Sequence, residues 1–172
     1  MQAKNDLVLY GMLASIALVL GYVESLIPIN LLIPIPGVKI GFANVVTIWV
    51  LYSMGTKEAY LISVVRVLLS GFLFGSMYSI IFSMAGALVS LTVMWALKKS
   101  RVFSTFGVSV AGGVTHNIAQ IIVAMIVLEN AGVSFYLPVL LISGVASGIA
   151  VGILGTLLYT RIKIQMPKEG KQ

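Results

Sequence analysis

Long apolar segments alternate with short polar ones along most of the chain. Six of these segments reach the length of about 17–25 residues that a helix needs to cross a bilayer. They are Leu7–Ile27, Val38–Met54, Ala59–Gly75, Tyr78–Leu97, Phe106–Leu128 and Tyr136–Tyr159. The segments between them are too short to fold separately. The pattern therefore predicts an all-α integral membrane protein, a single domain over residues 1–172 built as a compact bundle of six transmembrane helices.

Composition supports a membrane protein and excludes several classes of site. Hydrophobic residues make up 59% of the 172 residues and charged residues only 9%, whereas soluble domains carry about 25% charged residues. The chain has no cysteine, which excludes disulfides, thiolate nucleophiles and cysteine metal sites. The net charge of +6 comes from residues that flank the apolar segments, so we expect no nucleic-acid partner.

The positions of lysine and arginine predict the orientation. If the N-terminus is inside, nine of them fall on the cytoplasmic side: Lys4, Lys57, Lys98, Lys99, Arg101, Arg161, Lys163, Lys168 and Lys171. Only Lys39 falls on the outer side, and Arg66 lies within a span. By the positive-inside rule, both termini are cytoplasmic and residues 160–172 form a basic cytoplasmic tail. The predicted location is a cell (plasma) membrane.

Polar residues interrupt the middle of the fifth apolar segment. His116, the only histidine, lies beside Asn117, and Gln120 follows one turn later, with Gly112 and Gly113 one turn before. Polar side chains at mid-membrane depth are costly, so they face a protein interior or a wet cavity and often mark function. The alternative is that they only join helices by hydrogen bonds.

Charged and amide residues in the first three segments fall at nearby depths. Glu24, Lys39 and Asn44 lie in the outer third, and Arg66 near the centre of the third segment. Arg66 pairs either with Glu24 or with an anionic ligand, for which the guanidinium is a planar fork. Lys39 either serves the same ligand or extends to the lipid headgroups.

Because the inner halves of the segments lack charges except near their ends, these depths predict an outward-facing pocket rather than a channel. The candidate substrate-binding residues are Glu24, Lys39, Asn44, Arg66, His116, Asn117 and Gln120.

The segment after the first helix holds three of the five prolines: Pro28, Pro34 and Pro36, with Gly37 next. Proline blocks helix continuation, so the sequence predicts an extended loop outside the membrane. Its apolar composition is typical of a lid over the pocket or of an anchor in the membrane interface.

Small residues recur at four-residue spacing in two helices. Gly144, Gly148 and Gly152 in the sixth segment let helix backbones approach closely, which favours helix packing. In the first segment, Gly11 and Ser15 form one such pair, and Ala17 and Gly21 another. These two pairs serve either packing within the bundle or docking of a partner.

Known catalytic motifs are missing from the sequence. No GxxxxGK[ST] phosphate-binding loop occurs, and Asp6 is the only aspartate, so the aspartate-rich magnesium clusters of a prenyl diphosphate synthase are absent. One histidine with Glu24 and Glu129 makes a poor metal-ligand set. We therefore expect a protein that is not an enzyme and has no metal and no cofactor.

Three strings resemble a bacterial family. They are Pro34-Ile-Pro-Gly-Val-Lys-Ile-Gly-Phe-Ala-Asn44, Arg66-Val-Leu-Leu-Ser-Gly71 with Gly75, and His116-Asn-Ile-Ala-Gln120. Over about residues 7–159 the chain looks like the Gx transporter family, also labelled heptaprenyl diphosphate synthase component I. That family resembles the substrate-binding S components of energy-coupling factor (ECF) transporters. The resemblance implies six helices, an outward pocket, a lid after the first helix, and docking of a transmembrane coupling subunit on the first helix. The docking motif of that group is AxxxA, from which Gly11-xxx-Ser15 and Ala17-xxx-Gly21 depart.

These observations predict a substrate-binding subunit of an ECF-type importer in the lipid bilayer. It captures a small anionic or amphipathic molecule and needs a transmembrane coupling subunit and ATPase subunits. The alternative is a non-catalytic accessory subunit of isoprenoid or prenyl-quinone synthesis that holds a lipid diphosphate. A structural assembly factor without a ligand is a third alternative.

Overall fold

The computed structural model describes residues 2–27, with side chains from residue 6 onward, and residues 40–162. The helices are α1 (Gln2–Leu26), α2 (Phe42–Ser53), α3 (Thr56–Phe74), α4 (Met77–Ser100), α5 (Thr105–Val127), a 3-10 helix (Ala131–Tyr136) and α6 (Leu137–Arg161). The prediction of an all-α protein with six helices is confirmed. Lys39, the lid residues Pro28, Pro34, Pro36 and Gly37, and the tail from residue 163 lie outside the described residues.

Four helical segments are long and apolar enough to cross a membrane, which makes the chain a multi-pass membrane protein. They are Asp6–Leu26, Met77–Ser100, Thr105–Val127 and Ala131–Arg161. The helix α3 has 19 residues but includes Lys57, Glu58 and Arg66, so it is less apolar.

The second predicted span differs from the helix observed there. Among the described residues, α2 begins only at Phe42, after Gly41, whose positive φ of 88° ends the helix on that side. It has 12 residues, which rise only about 18 Å, less than the ~30 Å hydrocarbon core. The apolar run predicts a span over Val38–Met54, and the described helix begins later because hydrophobicity does not register a left-handed glycine.

Short connections make the successive helices from α2 to α6 antiparallel, and Glu24 near the end of α1 lies at the start of α2, so the bundle has two distinct ends. The end where α2 turns into α3 carries every described lysine and arginine side chain except Arg66, and we call it the basic end: Lys57, Lys98, Lys99, Arg101 and Arg161. A cluster of apolar side chains fills the half of the bundle near this end, including Trp49, Leu51, Ile62, Leu91 and Val108. Apolar packing therefore closes the bundle on its basic side.

The short helix α2 lies at the centre, packed against α1, α3 and α6. Charges from its neighbours lie at both of its ends. Glu24 of α1 accepts hydrogen bonds at its N-terminus, and Lys98 of α4 donates one to the carbonyl of Leu51 near its C-terminus. An anion at the N-terminus and a cation at the C-terminus both stabilise the helix dipole. These contacts fix the position of α2, which carries one wall of the cavity described below.

The glycines of α6 pack directly against α5. A Cβ built on Gly148 would lie 2.7 Å from the Cα of Val110, and one on Gly152 would lie 3.2 Å from the Cα of Phe106. One on Gly144 would lie 2.8 Å from the carbonyl oxygen of Gly113. Any side chain at these positions would push the two backbones apart, so these three glycines hold α5 and α6 together within the bundle.

The two small-residue pairs of α1 have different surroundings. Ala17 is completely buried, and a Cβ on Gly21 would touch the side chain of Ala43 in α2 at 3.7 Å. Gly11 has nothing within 4 Å of its built Cβ, and the hydroxyl of the exposed Ser15 donates to the Gly11 carbonyl. The pair Ala17 and Gly21 packs inside the bundle, and the pair Gly11 and Ser15 lies on an open face.

Candidate functional site

A cavity lies among all six helices, on the side of the apolar cluster away from the basic end. Its volume is about 80 Å³, within about 840 Å³ of empty space that includes the part open to solvent. One water needs about 10–15 Å³ of such volume, so the cavity holds about five to eight waters or a solute of that size. It is lined by six of the seven predicted substrate-binding residues: Glu24, Asn44, Arg66, His116, Asn117 and Gln120. The seventh, Lys39, lies outside the described residues.

Glu24 serves the fold at the edge of this cavity. Its carboxylate oxygens accept hydrogen bonds from the backbone N–H groups of Gly41, at 2.8 Å, and Phe42, at 2.9 Å. These two residues begin α2, where the N–H groups have no partner within the helix. The carboxylate, which is buried, replaces the missing partners and caps α2 from the neighbouring helix.

Arg66 reaches the cavity from α3 and is only partly paired. One terminal nitrogen, Nη2, donates to Oδ1 of Asn44 at 3.2 Å. Its Nε is buried and has no hydrogen-bond partner within the described residues. Glu24 is near enough to attract the guanidinium, although backbone amides already engage the two carboxylate oxygens. Of the two predicted roles for Arg66, this arrangement leaves hydrogen-bonding capacity for an anionic ligand.

His116 lies against a glycine of α4. A Cβ built on Gly86 would come within 2.8 Å of Cε1 and Nε2 of the imidazole, so only glycine leaves room for the ring. The next glycine contact on α5 is similar, because a Cβ on Gly112 would meet the sulfur of Met94 at 2.5 Å. Gly86 on α4 and Gly112 on α5 thus make space for side chains at the cavity wall, whereas Gly113 packs against the backbone of Gly144.

Asn117 and Gln120 lie one turn apart on α5, but only one of them bonds to the protein. The Nδ2 of Asn117, which is buried, donates to the carbonyl of Leu140 in α6 at 2.6 Å. Gln120 also lines the cavity, and its amide makes no hydrogen bond within the described part of the chain. Asn117 joins two helices, whereas Gln120 is available to a ligand.

Three serine and threonine hydroxyls in the cavity wall were missed by sequence reasoning as a group. Thr47, Ser63 and Ser109 are 3%, 2% and 3% exposed, and all three line the cavity. The available signal was spacing: Thr47 follows Asn44 by three residues, and Ser63 precedes Arg66 by three. Serine and threonine are common in membrane helices because they bond to their own backbone, so their presence alone did not indicate a site.

The described residues, 2–27 and 40–162, contain no group of three or more His, Cys, Asp or Glu side chains that could hold a metal ion. What the cavity offers is recognition by charge and hydrogen bonds. It combines a guanidinium, a carboxylate, three amides, an imidazole and several hydroxyls.

Comparison with protein families gives one match over most of the chain. A family model described as heptaprenyl diphosphate synthase component I matches residues 13–158. Neither the comparison with curated proteins nor the comparison with solved structures found a match. The matched region includes every described cavity residue named above.

Proposed function

The chain belongs to the heptaprenyl diphosphate synthase component I family, and we propose that it is a membrane-embedded substrate-binding subunit of an importer. In this role it captures a small anion in the cavity between its six helices. The proposal includes no catalytic step.

The observation that carries the proposal is the incomplete pairing of Arg66. A buried guanidinium must be paired or hydrated, yet its Nε has no partner among the described residues. The group faces a cavity that also exposes Gln120 and His116. An anionic group in this cavity would accept hydrogen bonds from the guanidinium of Arg66 and from the amide of Gln120.

The direction of the cavity follows from the charges at the bundle ends. All described lysine and arginine side chains except Arg66 lie at the basic end, which the positive-inside rule places in the cytoplasm. The cavity then faces the outside of a bacterial plasma membrane, and both termini are cytoplasmic.

We assign the energy for transport to partner proteins, because the sequence has no nucleotide-binding loop. In an importer of the ECF type these would be a transmembrane coupling subunit and ATPase subunits. The open face of α1 around Gly11 and Ser15 is available for such contacts. The prediction is that the isolated chain neither hydrolyses nucleotide nor concentrates a solute.

The family description favours a second candidate, an accessory subunit of isoprenoid synthesis that holds a lipid diphosphate. This function requires an apolar channel for the prenyl chain beside the anion site. Space for only about five to eight waters suits a small solute better than a prenyl chain. The two candidates therefore differ in the size of the molecule that they retain.

Native mass spectrometry of the gently purified protein tests this difference. We expect a retained anion of small mass, and a retained prenyl diphosphate would favour the second candidate.

Cysteines placed singly at the exposed positions Ser100 and Ser134 test the direction in which the cavity opens. Only Ser134→Cys should react with an impermeant thiol reagent from outside intact cells. Labelling of Ser100→Cys from outside would reverse the predicted orientation.

A further inference from the structure

Three buried residues in the cavity wall carry hydroxyl groups without the partners that such groups usually find. Thr47, Ser63 and Ser109 make no hydrogen bond within the described residues, and the oxygen of Thr47 is itself buried. The less buried Ser83 also lines the cavity without a hydrogen bond there. Other helical threonines in this chain donate to the carbonyl four residues earlier: Thr92, Thr115, Thr156 and Thr160. Thr47 does not, so its hydroxyl is free for another partner.

Their positions along the helices place the three hydroxyls at one side of Arg66. Asn44 and Arg66 are joined across α2 and α3, and these helices are antiparallel. Thr47 lies one turn beyond Asn44 toward the basic end, and Ser63 lies one turn from Arg66 in the same direction. Ser109 lies two turns from His116, again toward the basic end. All three therefore lie deeper than Arg66, on the side that the apolar cluster closes.

A buried hydroxyl without a partner destabilises the protein, and a ligand atom that bonds it removes this cost. Two other unpartnered polar atoms, Trp49 Nε1 and Ser53 Oγ, belong to residues that do not line the cavity. Thr47, Ser63 and Ser109 come from three different helices and line the same space. This convergence is what a ligand subsite requires.

We propose that Thr47, Ser63 and Ser109 form a hydroxyl subsite that binds an uncharged oxygen of the same anion that Arg66 holds. This inference rests on the proposed function and narrows its substrate class. The ligand is a small anion with a hydroxyl or carbonyl group at its far end. An alkyl end would leave the three hydroxyls unpaired.

The helix rise gives the axial separation of Ser63 and Arg66, which bind the uncharged oxygen and the charged group of the ligand. Three residues of helix separate Ser63 from Arg66, a rise of about 4.5 Å. A chain of three or four bonds between the charged group and the oxygen spans this distance. Together with the volume of the cavity, this favours a ligand of about five to eight non-hydrogen atoms, if each water position accommodates about one such atom.

Two pairs of probes of equal size test the subsite. The first is 4-hydroxybutanoate against pentanoate, and the second is 2-hydroxyethyl phosphate against propyl phosphate. Their dissociation constants are measured by titration of the full-length protein in lipid nanodiscs. We expect at least one pair to bind, with its hydroxylated member at least about tenfold tighter, which corresponds to about 1.4 kcal/mol.

Variants separate the subsite from the anion site. Thr47→Val, which keeps the shape, combined with Ser63→Ala and Ser109→Ala should bring the two members of the pair to equal affinity. Arg66→Gln should weaken both members alike. Thr160→Val, at an exposed threonine bonded to its own helix, is the matched control and should change neither affinity. The ligand-free Thr47→Val protein should unfold at the same or a higher temperature, because the variant removes an unpaired hydroxyl.

Each contrary result has a separate meaning. Equal binding of the two members of each pair by the wild type, or a preference that survives the triple variant, overturns the subsite while the anion site stands. A lower unfolding temperature for ligand-free Thr47→Val also overturns it, since the hydroxyl would then have a structural partner. Failure of all four probes to bind contradicts the proposed function itself.

Discussion

Glu24 and Arg66 face the same cavity from neighbouring helices, yet the fold satisfies them to different extents. Both oxygens of Glu24 bind backbone amides at the start of α2. Arg66 has one hydrogen bond, to Asn44, and a buried Nε without a partner among the described residues. The carboxylate completes the protein's own hydrogen bonding, and the guanidinium retains capacity for something else.

The same contrast recurs between two amides on α5. Asn117 bonds to the carbonyl of Leu140, whereas Gln120 has no bond in the described structure. The polar residues of this cavity therefore divide into those that assemble the bundle and those that remain available.

The largest expected effect is on stability, at Glu24. Replacing Glu24 with Ala leaves the amides of Gly41 and Phe42 without acceptors, at about 1–3 kcal/mol each. We expect a loss of about 2–6 kcal/mol in the free energy of unfolding, measured by denaturant titration in detergent micelles. Glu129→Ala, at an exposed glutamate, changes the net charge equally and should have no comparable effect. Equal stability of the two variants would contradict the capping of α2 by Glu24.

The double variant Glu24→Ala/Arg66→Gln tests whether these two charges form the essential pair. If they did, neutralising both would avoid the lone buried charge that a single change creates. Because the structure gives Glu24 its main contacts with α2, we expect the double variant to be as unstable as Glu24→Ala, within about 0.5 kcal/mol. Recovery of wild-type stability in the double variant would show that the ion pair dominates.

A smaller effect is expected from the amide pair. Asn117→Ala removes one hydrogen bond between α5 and α6 and leaves a small void, so it should cost about 1–3 kcal/mol. Gln120→Ala, one turn away on the same helix, should change stability by less than about 0.5 kcal/mol. In the same samples Gln120→Ala should weaken anion binding. Equal losses of stability in the two variants would contradict the division between them.

Sequence reasoning predicted the helices, and it singled out polar residues that line one cavity, better than it predicted the role of each residue. Apolar segments of spanning length predict helices directly, and costly polar residues such as Arg66 and His116 indicate where these helices enclose a cavity. The capping of α2 by Glu24 depends on the left-handed Gly41 and on contacts between distant segments, which no local pattern encodes. Likewise, Thr47 differs from other helical threonines because its hydroxyl does not bond to the carbonyl four residues earlier, and the sequence does not show this.

The most direct test of the anion site is the affinity of the co-purifying anion for Arg66→Gln, measured with the unfolding temperature of the same ligand-free sample. The account predicts affinity weaker by roughly 10- to 150-fold, the loss of a charge-assisted hydrogen bond of about 1.5–3 kcal/mol, with an unchanged or higher unfolding temperature. Arg66→Lys should lose most of the affinity as well, because a point charge does not reproduce the planar guanidinium. Unchanged affinity for Arg66→Gln together with a large fall in the unfolding temperature would contradict the account and make Arg66 a structural residue.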